Sequence, residues 1–320
     1  MSEAVRVIYL GGLGRSGSTL LERLLGELPG VCAGGELVHM WQRGISDNER
    51  CGCGEQFGAC GFWTQVGKTA FGGWDRINQA RVGDLRASVD RTRLIPALSR
   101  RALPTRMQAD LAEYTGYYLS VYRAIAEASG GAMVVDSSKH ASLAFCLSRC
   151  PEIDLRVIHL VRDSRAVAYS WSTRVARPDA GTSSYMTIYP PVRAAGHWNA
   201  QNGALQVLAR RSSRVLRLRY EDLVSAPEQT LRLAATFAGL ALDERSLAFV
   251  SRDGGTHSAR LREAHTASGN PMRFATGTIS ISGDERWRTA MPGRQRRTVT
   301  ALTLPLLRSY GYVGRSGQAA

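Results

Sequence analysis

The strongest constraint on this chain lies in its first thirty residues. Val5-Arg6-Val7-Ile8-Tyr9-Leu10 is short, β-branched and apolar, the composition of a buried strand. Leu20-Leu21-Glu22-Arg23-Leu24-Leu25-Gly26-Glu27-Leu28 repeats leucine at helical spacing, and Pro29-Gly30 stops it. Between them stands Gly12-Leu13-Gly14-Arg15-Ser16-Gly17-Ser18-Thr19. A strand that turns through glycines into a helix aims free backbone N–H groups and the positive helix end at one point. That point suits a phosphate. Gly12, Gly17 and Thr19 fit most of the nucleotide P-loop pattern, but Ser18 stands where the pattern wants Lys. That Lys serves the β- and γ-phosphates, so ATP or GTP hydrolysis is not expected. Arg15 keeps a cation in the turn. A glycine-rich turn that binds nothing stays open as the plain structural alternative.

The rest of the chain repeats the strand-then-helix order. Val31-Cys32-Ala33, Ala132-Met133-Val134-Val135, Leu155 to Val161 and Arg214 to Tyr220 read as strands, with helical runs between them. Strands alternating with helices predict an α/β fold of three layers, a mostly parallel sheet with helices on both faces. At 320 residues and 44% apolar the chain can form a single domain over 1–320. Residues 43–75 read as a loop excursion and 76–129 as helices broken near Pro96 and Pro104. Leu111, Tyr114, Tyr118, Tyr122 and Ile125 form an apolar stripe suited to the core. Residues 174–191 are a candidate lid, 251–285 read as loop, and a last helix covers about 294–308. Polar groups gather at strand ends, where α/β proteins hold substrate: Glu36 and His39, Lys139 and His140, then Arg162 with Ser170 eight residues on. Glu36 could equally interact with a helix dipole, and His39 could simply pack.

Net charge is +14, which attracts anions without separating nucleotides from nucleic acid or lipid. Arg294-Gln295-Arg296-Arg297 is the densest basic run and reads as a solvated helix face, so no nucleic-acid partner is expected. No apolar run approaches a membrane span and no signal peptide is visible; stable membrane insertion is not expected, and a cytoplasmic location is. Cys51, Cys53 and Cys60 cluster in one loop. They could hold zinc if Cys32 or a His joined them, but the spacing lacks paired C-x₂-C ligands. A reduced or locally bridged loop, with no metal, is the expectation.

Three segments in this order resemble the P-loop sulfotransferases that use 3′-phosphoadenosine-5′-phosphosulfate (PAPS), particularly bacterial members related to carbohydrate and tyrosylprotein enzymes. They are Arg15-Ser16-Gly17-Ser18-Thr19-Leu20-Leu21, then Leu160-Val161-Arg162-Asp163-Ser164-Arg165-Ala166-Val167 with Ser170, then Arg219-Tyr220-Glu221-Asp222-Leu223 with Pro227. Gly269-Asn270-Pro271-Met272-Arg273 and Tyr310-Gly311-Tyr312 extend the resemblance over most of the chain. It implies that Gly14, Arg15, Ser16, Gly17, Ser18 and Thr19 hold the 5′-phosphate and sulfate, that Arg162 and Ser170 hold the 3′-phosphate, and that Arg273 adds to the cofactor phosphates. It implies Glu36 as carboxylate base, with Arg15 and Lys139 as catalytic cations in place of a metal. Residues 43–130 would lie on the acceptor side and 251–293 near the cofactor. The acceptor would be a hydroxylated small molecule, carbohydrate or lipid. An ATP-dependent small-molecule kinase and a non-catalytic basic nucleotide- or nucleic-acid-binding protein are the competing readings.

Overall fold

The structure is a computed structural model, and it describes residues 3–177 and 185–314. β1 (Val5–Gly11) alternates across its sheet: Val7 and Tyr9 pack to one side, Ile8 and Leu10 to the other, all without solvent contact. α1 (Ser18–Leu25) follows and is buried on every side, and β2 (Val31–Gly35) comes next. The chain then builds α2 (Gly61–Phe71), α3 (Gln79–Val89), the one-turn α4 (Ile95–Leu98) and α5 (Thr105–Ser129). Pro96 lies in the first turn of α4 and Pro104 caps α5, so both prolines mark helix starts. β3 (Met133–Lys139), α6 (Ala141–Leu147), β4 (Ile153–Val161), α7 (Ser164–Ser172), α8 (Pro191–Arg211) and β5 (Val215–Arg219) complete the sheet. α9 (Tyr220–Ser225) and α10 (Pro227–Ala238) close this part, with Gly239 ending α10 in the left-handed region.

Five strands pair in the order β2-β3-β1-β4-β5, every pair parallel. The α/β architecture expected from the sequence is present, with helices on both faces. One face carries α2, α3, α5 and α6, and the tyrosine stripe of α5 lies wholly in that core. The other carries the leucines of α1 with Leu231, Ala234 and Ala235 of α10. β1 is the strand from which the chain leaves in both directions, toward β3 and β2 on one side and β4 and β5 on the other. In open parallel sheets the crevice at the carboxyl ends of the strands beside such a switch point holds ligand.

Two stretches read as loop are ordered elements. Within 43–75 lie part of a π-helical segment, Met40–Ser46, and all of α2. The helical signal of α2 is weak because Gly67 interrupts it. That glycine is needed, because a Cβ there would meet Trp74 at 2.6 Å. Within 251–285, β6 (Val250–Asp253), β7 (Thr256–Leu261) and β8 (Gly277–Ile281) make a separate antiparallel sheet. Gly254 and Gly255, at φ +52° and +86°, close the β6–β7 hairpin. These strands are mostly exposed, so they lack the apolar run that identifies a buried strand. α11 (Trp287–Ala290) and α12 (Gly293–Ser309) end the fold. Arg294 to Arg297 lie exposed on α12, as a solvated helix face should. Residues 178–184 of the candidate lid lie outside the described residues. Among the described residues no helix is long and apolar enough to cross a membrane.

Candidate active site

The turn after β1 is shaped by two glycines. Gly12 adopts φ +149°, and a Cβ there would meet the Leu160 carbonyl at 2.5 Å; Gly17 caps α1 at φ +88° against the Tyr220 ring. Arg15 and Lys139 also take left-handed backbone, at φ +72° and +70°. A non-glycine residue there costs on the order of 1–3 kcal/mol and persists where the surroundings enforce it, which is common at functional sites. The turn opens onto a cavity of 710 Å³ at the carboxyl ends of the parallel strands. Gly14, Arg15, Gly17, Ser18 and Thr19 line it from the turn, and Glu36, Lys139, Arg162 and Ser170 line it from β2, β3, β4 and α7. Ser16 and Arg273 do not. Ser16 is 2% exposed, and its buried hydroxyl has no hydrogen-bond partner. Arg273 is fully buried: its guanidinium donates to the carbonyls of Thr266 and Arg50 and lies over the Phe274 ring. It therefore braces the segment behind the cavity wall and does not line the cavity where the cofactor phosphates are expected.

Arg15 and Arg162 meet at the turn. Arg162 is 8% exposed; it donates to the Arg15 carbonyl at 3.1 Å and the Asp284 carbonyl at 2.8 Å, with its guanidinium 4.4 Å over the Tyr220 ring. Arg15 lies 5.4 Å from the Trp171 ring, whose N–H donates to the Gly14 carbonyl. Its Nε and Nη2 are buried with no hydrogen-bond partner. Buried guanidinium donors are normally satisfied, so a cavity-lining arginine that keeps two orphaned donors suits an anion. Ser170, two helical turns beyond Arg162, reaches the same cavity because α7 folds back beside the strand end.

Glu36 forms an ion pair with Lys139 and sits 3.6 Å from His39. Burial works to raise the Glu36 carboxyl, but Lys139, then His39 and Arg43, outweigh it and hold it at about 2. Burial pushes His39 down to about 3, so its ring is neutral. One turn of α1 away from the loop, Glu22 accepts from the Gly35 N–H at 2.5 Å and the Ser137 hydroxyl at 2.8 Å, tying the ends of β2 and β3 together. Burial lifts this carboxyl to about 7.

Trp171, Tyr220, Asn270 and Asp284 also line the cavity, from separate elements. Tyr220 and Asn270 stand within the motifs that carry the resemblance but are not singled out there as site residues, because only the fold brings these groups together around the cavity. Asp90, Arg91 and Thr92 from the 43–130 segment form part of its wall. Outside the cavity, His265 joins Cys51, Cys53 and Cys60, with the four ligand atoms within 4.8 Å of one another. The spacing argument for a reduced or bridged loop lacked this fourth group, which is remote in sequence.

The sequence profile of the Sulfotransferase family matches residues 71–244, more than half of the chain. Human carbohydrate sulfotransferase 3 is 28% identical over 184 residues, covering 52% of this chain and 35% of the relative. Human carbohydrate sulfotransferase 2 is 27% identical, covering 52% and 36%. The chain thus spans about a third of the length of these curated relatives. Among solved structures, the sulfotransferase domain of the Synechococcus PCC 7002 olefin synthase superposes over 98% of this chain and 97% of its own, with a TM-score of 0.52 and 21% identity; that likeness concerns the fold.

Proposed function

The chain belongs to the sulfotransferase family, and on that premise we propose that it transfers the sulfuryl group of PAPS to a hydroxyl of a sugar, lipid or other small-molecule acceptor. The observation that carries this reading is the meeting of two guanidinium groups, Arg15 and Arg162, on one cavity that also holds the Lys139–Glu36 pair. A donor with phosphate at both its 3′ and 5′ positions presents two separated anionic groups, where ATP presents a single 5′ chain, and two arginines from different strands suit the former. The turn N–H groups, Arg15, Ser18 and Thr19 take the 5′-phosphosulfate; Arg162 and Ser170 take the 3′-phosphate.

The acceptor oxygen attacks sulfur in line with the bond to the 5′-phosphate. A new O–S bond forms, the S–O bond to the phosphate breaks, and its electron pair stays on the phosphate oxygen. The acceptor proton passes to Glu36. Arg15, Lys139 and the turn N–H groups stabilise the charge that develops on the leaving phosphate. Glu36 at about 2 is ionised at any physiological pH, but its pairing with Lys139 makes it a weak base. The anionic phosphosulfate competes for the same ammonium, which frees the carboxylate and raises its basicity. Donor binding thereby readies the base. The carbohydrate specificity in the relatives' names supports a sugar among the candidate acceptors.

The reading is tested by incubating the protein with labelled PAPS and a panel of sugars, phenols and lipids, and by comparing its affinity for 3′-phosphoadenosine-5′-phosphate with that for ATP. Label on an acceptor and tighter binding of the bisphosphate are expected; tighter ATP binding with no transfer would replace the reading with a kinase. Glu36→Gln should keep bisphosphate affinity and lower turnover by about 10²-fold or more. Unchanged turnover in that variant would move the base to His39 or His140.

A further inference from the structure

Three of the chain's six cysteines fall between residues 51 and 60, and none of them takes part in the cavity. Their sulfurs converge on one imidazole. Cys60 Sγ lies 3.4 Å and Cys51 Sγ 3.9 Å from His265 Nδ1, and Cys53 Sγ lies 3.7 Å from Cys60 Sγ. We propose that Cys51, Cys53, Cys60 and His265 form a closed structural zinc site.

The distances carry this. A tetrahedral zinc with Zn–S of about 2.3 Å and Zn–N of about 2.0 Å has ligand-to-ligand edges of about 3.5–3.8 Å. Three of the six separations, at 3.4, 3.7 and 3.9 Å, bracket those edges, and all six lie within 4.8 Å. Three thiolates and one imidazole are a soft donor set that selects zinc over magnesium or calcium. All four positions are filled by protein, so the ion has no open place for substrate and its role is to hold the fold. A disulfide would join only two of the sulfurs, at about 2.05 Å. It would leave the third thiol and the imidazole gathered for nothing.

The local structure gathers the sulfurs around one point. Gly54 N–H donates to the Cys51 carbonyl at 2.9 Å, with Gly54 at φ +94°, so the chain folds into a tight turn around the first two cysteines. The amide of Cys53 faces Cys51 Sγ, and that of Glu55 faces Cys53 Sγ. Cys60 caps the N-terminus of α2, so the start of that helix fixes its place beside the turn. The His265 ring stacks on Phe62 at 5.0 Å, 10° from parallel, which fixes the direction of Nδ1. Cys53 and His265 are half-buried, which leaves the ion a way in.

The site would join two segments far apart in sequence. Directly after His265, the Thr266 carbonyl accepts from Gly52 N–H, Ala267 N–H donates to the Gly34 carbonyl, and the Ser268 carbonyl accepts from Glu36 N–H. Gly269, Asn270 and Met272 then line the cavity. The ion therefore pins the strand of hydrogen bonds that seats Glu36 and one wall of the cavity.

The probes are zinc and cobalt(II). Protein purified from zinc-supplied medium under reducing conditions should carry about one zinc per chain. Cobalt(II) reconstitution should give the strong thiolate-to-metal absorption of a tetrahedral site. Cys51→Ser and His265→Gln should each retain under about a tenth of the metal, and Cys150→Ser, outside the cluster, should retain all of it. Where a ligand variant fails to fold, the wild-type chain decides: stripping with a chelator should lower its thermal midpoint, and zinc alone should restore it. The proposal is overturned if the reduced wild-type protein binds neither metal, if the ligand variants bind as much as wild type, or if protein handled without oxygen contains a disulfide between any two of the three cysteines. None of these outcomes touches the sulfuryl-transfer reading.

Discussion

Arg15 combines a strained backbone with two buried, unpartnered guanidinium nitrogens. Alanine at this position inherits the same φ, so Arg15→Ala should change stability little. It removes one preorganised charge contact worth about 3 kcal/mol in the transition state, and turnover should fall roughly 10²-fold in a labelled-PAPS assay. Glu22 gives a second test at this scale. Folded, its carboxyl titrates near 7, against an ordinary 4.5, so the folded chain holds this proton more tightly than the unfolded chain. The Glu22 contribution to stability is then greatest at low pH and is lost as pH rises through that window. Glu22→Gln keeps the shape and removes the titration. Its unfolding free energy should gain on wild type between about pH 4.5 and pH 7, by up to about 3 kcal/mol, read from denaturant melts across that range; a constant difference would refute the assignment. Arg15, Glu36, Lys139, Arg162 and Ser170 could all be named from the sequence because each stands just past a strand-like run or in the helix after it. The direction of Arg273 could not be named, because a motif gives a position and not a direction, and packing turns its guanidinium toward backbone carbonyls.

At the scale of elements, the β1–turn–α1 unit was legible because its apolar strand, its glycines and its leucine repeat agree. α2 and the β6–β7–β8 sheet were not. α2 is fixed by Trp63 and Val66 packing in the core, and the small sheet by a glycine hairpin between polar strands. Gly17 shows how tightly the turn is bound to the rest. A Cβ there would lie 2.4 Å from the Tyr220 ring, and the same ring supports the Arg162 guanidinium. Gly17→Ala should therefore cost at least about 2 kcal/mol and weaken bisphosphate binding together. Gly130→Ala, at φ +61° with open space around it, should cost only the backbone strain of about 1 kcal/mol. Thermal melts and calorimetry of the two variants side by side check both statements.

For the whole molecule, the layered α/β plan followed from strands alternating with helices, but the strand order could not be read from that alternation. That order decides which ends become neighbours. Arg15, Glu36, Lys139 and Arg162 stand at or just past the ends of four different strands, with more than a hundred residues between Glu36 and Lys139 in sequence. Contacts of such long range form late, after loop-closure entropy has been overcome. A chain with only part of the sheet assembled holds a fraction of the cradle and gains little from an adenosine bisphosphate. The ligand is therefore a gauge of completed assembly. In refolding from denaturant, recovery of its binding should trail recovery of helical signal, and simultaneous recovery would mean that the central strands dock before most helices form.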